Sequence, residues 1–244
     1  MIRALWYIAV LVVGTLWWGS RVVGASLLRI PNRPGGVYDQ APGGWSQLQL
    51  SAAGVKVTVE GAERIPKDQP VVFVSNHQSW FDILSLAANL PGYPRFVYKK
   101  EMARIPVLGE ALKRAGHILI DRQNRQRAFE AYDEAARVIR EGMSAVVFPE
   151  GTRSRTGEML PFKKGPFVLA IASQVPLVPV YCAGTFGIMP KGTLWVRPLP
   201  VTLRLGEPIE TKGLTYDDRE DLLQRTRAAI EALREAGDRT NRTN

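Results

Sequence analysis

Apolar residues along this chain of 244 fall into short continuous runs separated by stretches of helical period. The runs at 54–60 (GVKVTVE), 70–75 (PVVFVS), 95–98 (RFVY), 116–120 (GHILI), 144–148 (SAVVF), 177–181 (LVPVY) and 201–205 (VTLRL) predict strands. Several lack alternation, as strands covered on both faces do. Helical patterns predict helices over 45–53, 80–89, 106–114, 124–141, 165–173 and 217–236. Strand and helix alternate, so the expected fold is α/β, with a largely parallel or mixed central sheet flanked by helices. Ahead of it, residues 1–30 read as an apolar N-terminal helical membrane element. Residues 31–44 (PNRPGGVYDQAPGG) read as a linker, 45–236 as the globular domain and 237–244 as a disordered tail.

Residues 4–20 (ALWYIAVLVVGTLWWGS) carry no charge, and a second apolar run, VVGASLL, lies between Arg21 and Arg29. Seventeen helical residues reach about 26 Å, slightly less than the roughly 30 Å of a bilayer core. The segment fits either a short spanning helix or a two-part element in one leaflet, broken near Gly19-Ser20. A cleaved leader ending near Val23-Gly24-Ala25 is a third reading, opposed by the bulky Trp17-Trp18 pair and by Arg21. Arg21, Arg29 and Arg33 follow the segment, which places the globular part on the cytoplasmic face of the cell (inner) membrane.

The formal net charge of +9 implies an anionic partner. Residues 1–38 hold Arg3, Arg21, Arg29 and Arg33 and no acid, so membrane lipids are the nearest such partner. Residues 95–127 hold nine Lys or Arg against three acids, but no nucleic-acid recognition module is evident, and no nucleic-acid partner is expected. One cysteine, Cys182, excludes an internal disulfide, and two histidines, His77 and His117, make a multi-histidine metal site improbable.

The strand PVVFVS runs directly into NHQSWFD, with His77 at its carboxyl end and Asp82 five residues on. Five helical residues turn about 140°, so the two do not share a helix face. With Ser79 as N-cap, Asp82 falls at N3 and His77 just outside the helix, free to turn back onto it. Imidazole oriented by a carboxylate suits removal of an alcohol's proton near neutral pH. The pattern Ser79-x-x-Asp82 also matches a capping box, which by itself accounts for Asp82.

A second strand, SAVVF, ends in PEGTRSR. Gly151 allows close approach of backbone amides to an anion, Thr152 offers a hydroxyl, and Arg153 offers a planar fork for two phosphate oxygens. Glu150 is placed to orient an arginine or hold a substrate hydroxyl. GHILIDR ends a third strand in Asp121-Arg122, and Arg122 is a partner for Arg153 around one phosphate. His117, by strand alternation, faces the core. A solvated turn accounts for an isolated EGTR equally well.

Taken in order, NHQSWFD at 76–82, Lys100-Glu101 through GHILIDR at 116–122, FPEGTRS at 148–154 and VPLVPV at 175–180 resemble the glycerophospholipid acyltransferases, specifically the 1-acyl-sn-glycerol-3-phosphate acyltransferase family. The resemblance covers about residues 70–182. It implies transfer of a fatty acyl group from acyl-CoA or acyl carrier protein to lysophosphatidate, giving phosphatidate. It implies His77 as general base supported by Asp82. Glu150, Gly151, Thr152 and Arg153, with Arg122 and Lys100, become the expected substrate-binding set. No metal and no organic cofactor is implied. Another lysolipid acceptor, a thioester hydrolase and a lipid-binding scaffold without turnover are the competing functions.

Overall fold

The structure, a computed structural model, describes residues 2–33, 35–120 and 125–243. In chain order the helices are α1 (Ile2–Leu27), α2 (Val37–Ala53), α3 (Trp80–Asn89), α4 (Leu108–Arg114), α5 (Arg125–Arg140), α6 (Gly165–Ser173), α7 (Thr185–Ile188) and α8 (Arg219–Thr243). The strands are β1 (Val57–Glu60), β2 (Val72–Ser75), β3 (Arg95–Lys99), β4 (Ile118–Ile120), β5 (Ala145–Val147), β6 (Leu177–Ala183) and β7 (Val201–Leu205). They form one sheet in the order β1-β7-β6-β2-β5-β3-β4. Every pairing is parallel except β6 with β7. The sheet is therefore mixed: β1 and β7 run against the other five.

Both faces of the central strands are covered, which is why their sequences lack polar alternation. Phe73 of β2, Val146 of β5 and Val180 of β6 pack into a core with α3. Val72, Val74, Ala145, Val147 and Leu177 point the other way, into a second core with α5, α6 and α8. The carboxyl ends of the parallel strands β2, β5 and β3 open on one edge, where sites in open α/β sheets form.

The N-terminal region departs from its sequence reading. Residues 31–44 are not linker throughout: α2 begins at Val37, despite Pro42 and the Gly43-Gly44 pair. Tyr38 and Ala41 bury in a third cluster with Val22 and Ala25 of α1 and Ala111 of α4, and this packing outweighs poor helix propensity. Gly44 is required by contact, since a Cβ there would meet the indole of Trp18. Asp39 pairs with Arg95 at the start of β3, fastening α2 to the sheet with both side chains buried. The helix α1 is continuous through Leu27, with no break at Gly19-Ser20. Gly19 instead lets Val107 approach, 2.6 Å from where a Cβ would stand. The helix α8 extends past 237, to Thr243.

Candidate active site

The site begins where β2 ends. Asn76 replaces a strand pairing with its side chain: Oδ1 accepts from the Cys182 N–H at 2.7 Å and Nδ2 donates to the Cys182 carbonyl at 3.2 Å. The chain then turns through His77 into Ser79, the N-cap of α3, whose Oγ accepts from the Phe81 N–H at 3.3 Å. Asp82, at N3, is fully buried. Its Oδ2 accepts from the N–H groups of Gln78 (2.6 Å) and Ser79 (2.8 Å) and lies 2.8 Å from His77 Nδ1. A carboxylate only accepts, so Nδ1 donates and Nε2 keeps its lone pair. Capping and ring orientation, alternatives on the sequence, are carried by the same carboxylate. The imidazole also stacks on Phe148, with centroids 4.0 Å apart and planes 16° from parallel.

The loop after β5 is hydrogen-bonded to this turn. Ser154 N–H donates to the His77 carbonyl at 2.8 Å. Glu150 Oε1 accepts from the His77 N–H at 2.7 Å and Oε2 from the Leu160 N–H at 3.0 Å. Burial pushes the Glu150 carboxyl up to about 7, against the downward pull of those two N–H donors. Gly151 has φ +69°, and the Lys163 side chain lies 3.1 Å from where a Cβ would stand. Thr152 Oγ1 accepts from Lys191 Nζ at 2.8 Å, and the same ammonium donates to the Arg153 carbonyl at 3.2 Å.

These groups meet at a cavity of about 270 Å³. His77, Gly151, Thr152, Arg153 and Lys191 line its polar end. The remainder runs between α1, α2, α3 and α4 and is lined by apolar side chains such as Trp18, Val22, Trp45, Ile83 and Leu108. An aromatic-walled chamber thus leads to an imidazole with a free lone pair, beside two cations.

An acyltransferase family model matches residues 56–183, which contain the His77 and Arg153 loops. The chain is 37% identical over 220 residues to the 1-acyl-sn-glycerol-3-phosphate acyltransferase of Limnanthes douglasii, covering 88% of this chain and 76% of that one. The chain belongs to the 1-acyl-sn-glycerol-3-phosphate acyltransferase family. It is also 39% identical over 185 residues to the human 1-acyl-sn-glycerol-3-phosphate acyltransferase alpha, covering 72% of this chain and 63% of that one. The crystal structure of the 1-acyl-sn-glycerophosphate acyltransferase PlsC of Thermotoga maritima superposes with a TM-score of 0.81 at 27% identity, over 97% of this chain and 95% of that one.

Within this acyltransferase, the expected site residues separate into groups. His77, Gly151, Thr152 and Arg153 come together at one end of the cavity, with Asp82 buried behind His77 and bonded to its ring. Glu150 does not face it: both carboxylate oxygens accept from backbone, so the side chain holds the His77 loop and is not turned toward a substrate. Lys100 opens a 3-10 helix and is exposed, while its neighbour Lys99 lines the cavity. Arg122 lies outside the described residues. His117 accepts from the Phe96 N–H through Nδ1 at 2.9 Å, and burial with the neighbouring Arg95 charge pushes its imidazole down to about 3. It lines the cavity as a neutral group. Sequence reasoning missed Lys191, which lies 38 residues after Arg153 in a loop without a motif. The local signal was a lone lysine in a Pro-Lys-Gly turn, which is common on any surface.

Proposed function

We propose that this enzyme transfers a fatty acyl group from a thioester, acyl-CoA or acyl carrier protein, to the sn-2 hydroxyl of 1-acyl-sn-glycerol 3-phosphate, forming phosphatidate. The observation that carries this reading is that His77 and Arg153 line one cavity, most of whose other lining residues are apolar. His77 Nε2 takes the hydroxyl proton as the oxygen attacks the thioester carbonyl. The C–O ester bond forms, the C–S bond breaks, and the imidazolium returns its proton to the departing thiolate. Asp82 holds the ring's tautomer and stabilises its transient positive charge. Arg153 and Lys191 receive the phosphate, and the apolar chamber takes an acyl chain.

Membrane seating belongs to the same proposal. Among the described residues, one helix segment, Ala4–Leu27, is long and apolar enough to cross a bilayer. One side of α1 is covered: Gly14 packs against Leu48 and Gln49, Gly19 against Val107, and Val22 is buried. The other side exposes Leu5, Trp6, Val12, Val13, Leu16 and Trp17. This one-sided exposure supports a helix lying within one leaflet, and Arg21, Arg29 and Arg33 after the segment support seating of the catalytic domain on the cytoplasmic face of the inner membrane. A lysolipid then reaches the cavity directly from the bilayer.

The test supplies the purified enzyme in detergent with labelled acyl-CoA or acyl carrier protein and a panel of lysolipids. Phosphatidate formed from lysophosphatidate, and abolished in a folded His77→Ala variant, is the expected result. Free fatty acid as the sole product indicates a hydrolase, and tight lipid binding without turnover indicates a scaffold. Falling rates with rising salt for carrier protein, but not for acyl-CoA, would identify the acidic protein as the preferred donor.

A further inference from the structure

We propose that the loop of residues 190–199 is a second membrane-docking element, whose Leu194 and Trp195 enter the interfacial layer of an anionic bilayer beside α1. The inference rests on the proposed membrane seating of α1 and extends it to a part of the chain far away in sequence.

The loop is held firmly at both feet. At the first, Ser79 Oγ donates to the Met189 carbonyl at 2.8 Å, and Ser79 bridges Pro190. At the second, Arg197 N–H donates to the Ile188 carbonyl at 3.0 Å, and Val196 packs against the core that contains Tyr7 of α1. Between them, Thr193 N–H and Oγ1 both donate to the Pro190 carbonyl, and Gly192 takes φ +94° to close the turn. Yet the crest presents Leu194 and Trp195 at 68% and 60% exposure. A braced loop that holds its largest apolar groups outward marks an interaction surface.

Position and charge select the bilayer as the occupant. Pro198 lies against Gly54, the C-cap of α2, 3.4 Å from where a Cβ would stand. In the antiparallel α1–α2 pair, Gly14 lies against Leu48 and Val10 accepts from Gln49, so the end of α2 faces the first turns of α1. Those turns expose Leu5 and Trp6. The loop therefore stands beside the end of α2 that faces the first turns of α1. No acidic residue occurs between Glu158 and Glu207, and Lys191 and Arg197 flank the crest. Indole beside cations suits the headgroup region of an anionic leaflet. Because Lys191 also reaches Thr152 and Arg153, seating the crest in lipid sets the polar end of the cavity at headgroup depth.

The test uses the full chain with vesicles of equal parts phosphatidylcholine and phosphatidylglycerol, with and without brominated acyl chains. The chain has six tryptophans, so the Trp195 share of the emission is the difference between wild type and Trp195→Phe. That share is expected to be quenched by brominated lipid. The double variant Leu194→Ser, Trp195→Ser is expected to lose at least about tenfold in activity toward lysophosphatidate presented in vesicles, the fold-change that losing burial of either one of the two large apolar side chains would give. Its activity toward a short-chain, monomeric lysophosphatidate should be unchanged. Quenching of the other tryptophans with Trp195 untouched overturns the proposal and leaves the seating of α1 standing. If no tryptophan is quenched while acyl transfer persists, the membrane reading itself fails. A Trp195 response to acyl carrier protein and none to lipid overturns the proposal in favour of a donor-docking surface.

Discussion

Replacing Asp82 with Asn separates the charge of the His77–Asp82 pair from its geometry. The amide oxygen can occupy the place of Oδ2, where it still accepts from Gln78 N–H, Ser79 N–H and His77 Nδ1. The NH2 group falls at Oδ1, which is buried and has no hydrogen-bond partner among the described residues. The loop is thus preserved, at a folding cost of about 1–3 kcal/mol for the unsatisfied donor. What disappears is the negative charge beside the imidazolium formed as the proton moves. Two unit charges about 4 Å apart attract by about 4 kcal/mol at an effective dielectric of about 20. That attraction corresponds to about three powers of ten in rate. Steady-state acyl transfer from labelled thioester should therefore show kcat reduced about a thousandfold, with both KM values nearly unchanged. Asp82→Ala, which also strands the two backbone N–H groups, should lose more stability than Asp82→Asn. A kcat for Asp82→Asn within about tenfold of wild type would refute the assignment and leave Asp82 as a helix cap alone.

Further outcomes follow from the same structure. Lys191→Met should raise KM for lysophosphatidate about tenfold with little change in kcat, and an unchanged KM would remove Lys191 from the phosphate site. Asp39→Ala leaves the charge of Arg95 buried at 3% exposure without its carboxylate, so chemical denaturation should register a loss of about 3–5 kcal/mol. A loss under about 1 kcal/mol would show that α2 is not fastened to the sheet by this pair. The His117 imidazole stays neutral down to about 3 in the folded chain, against an ordinary value of 6.5. Its contribution to stability is therefore present above 6.5 and drains away as pH falls toward 3. His117→Gln keeps an acceptor for Phe96 N–H but does not titrate, so wild type should lose stability faster than the variant on acidification. Parallel pH profiles of the denaturation midpoint would contradict this.

What the sequence determined by itself was the seven strands and all the longer helices of the catalytic domain, the short α7 excepted, and the local geometry at His77. Strands buried on both faces need continuous apolar runs, and a capping box is a local arrangement of four residues, so neither depends on distant chain. The start of α2 was decided by tertiary packing. Pro42, Gly43 and Gly44 signal a loop locally, and tertiary contacts make a helix there favourable: burial of Tyr38 and Ala41 against α1 and α4, the Trp18 indole over Gly44 and the Arg95 guanidinium at Asp39. The same holds for Glu150, which reads as a substrate ligand in its motif and is turned inward by the N–H groups of His77 and Leu160. Lys191 belongs to the site because the β6–β7 connection folds back across the edge where β2 and β5 end. Short-range patterns record which backbone each segment prefers. Which side chains converge on one cavity is set by sheet order, and that order arises from contacts between residues widely separated along the chain.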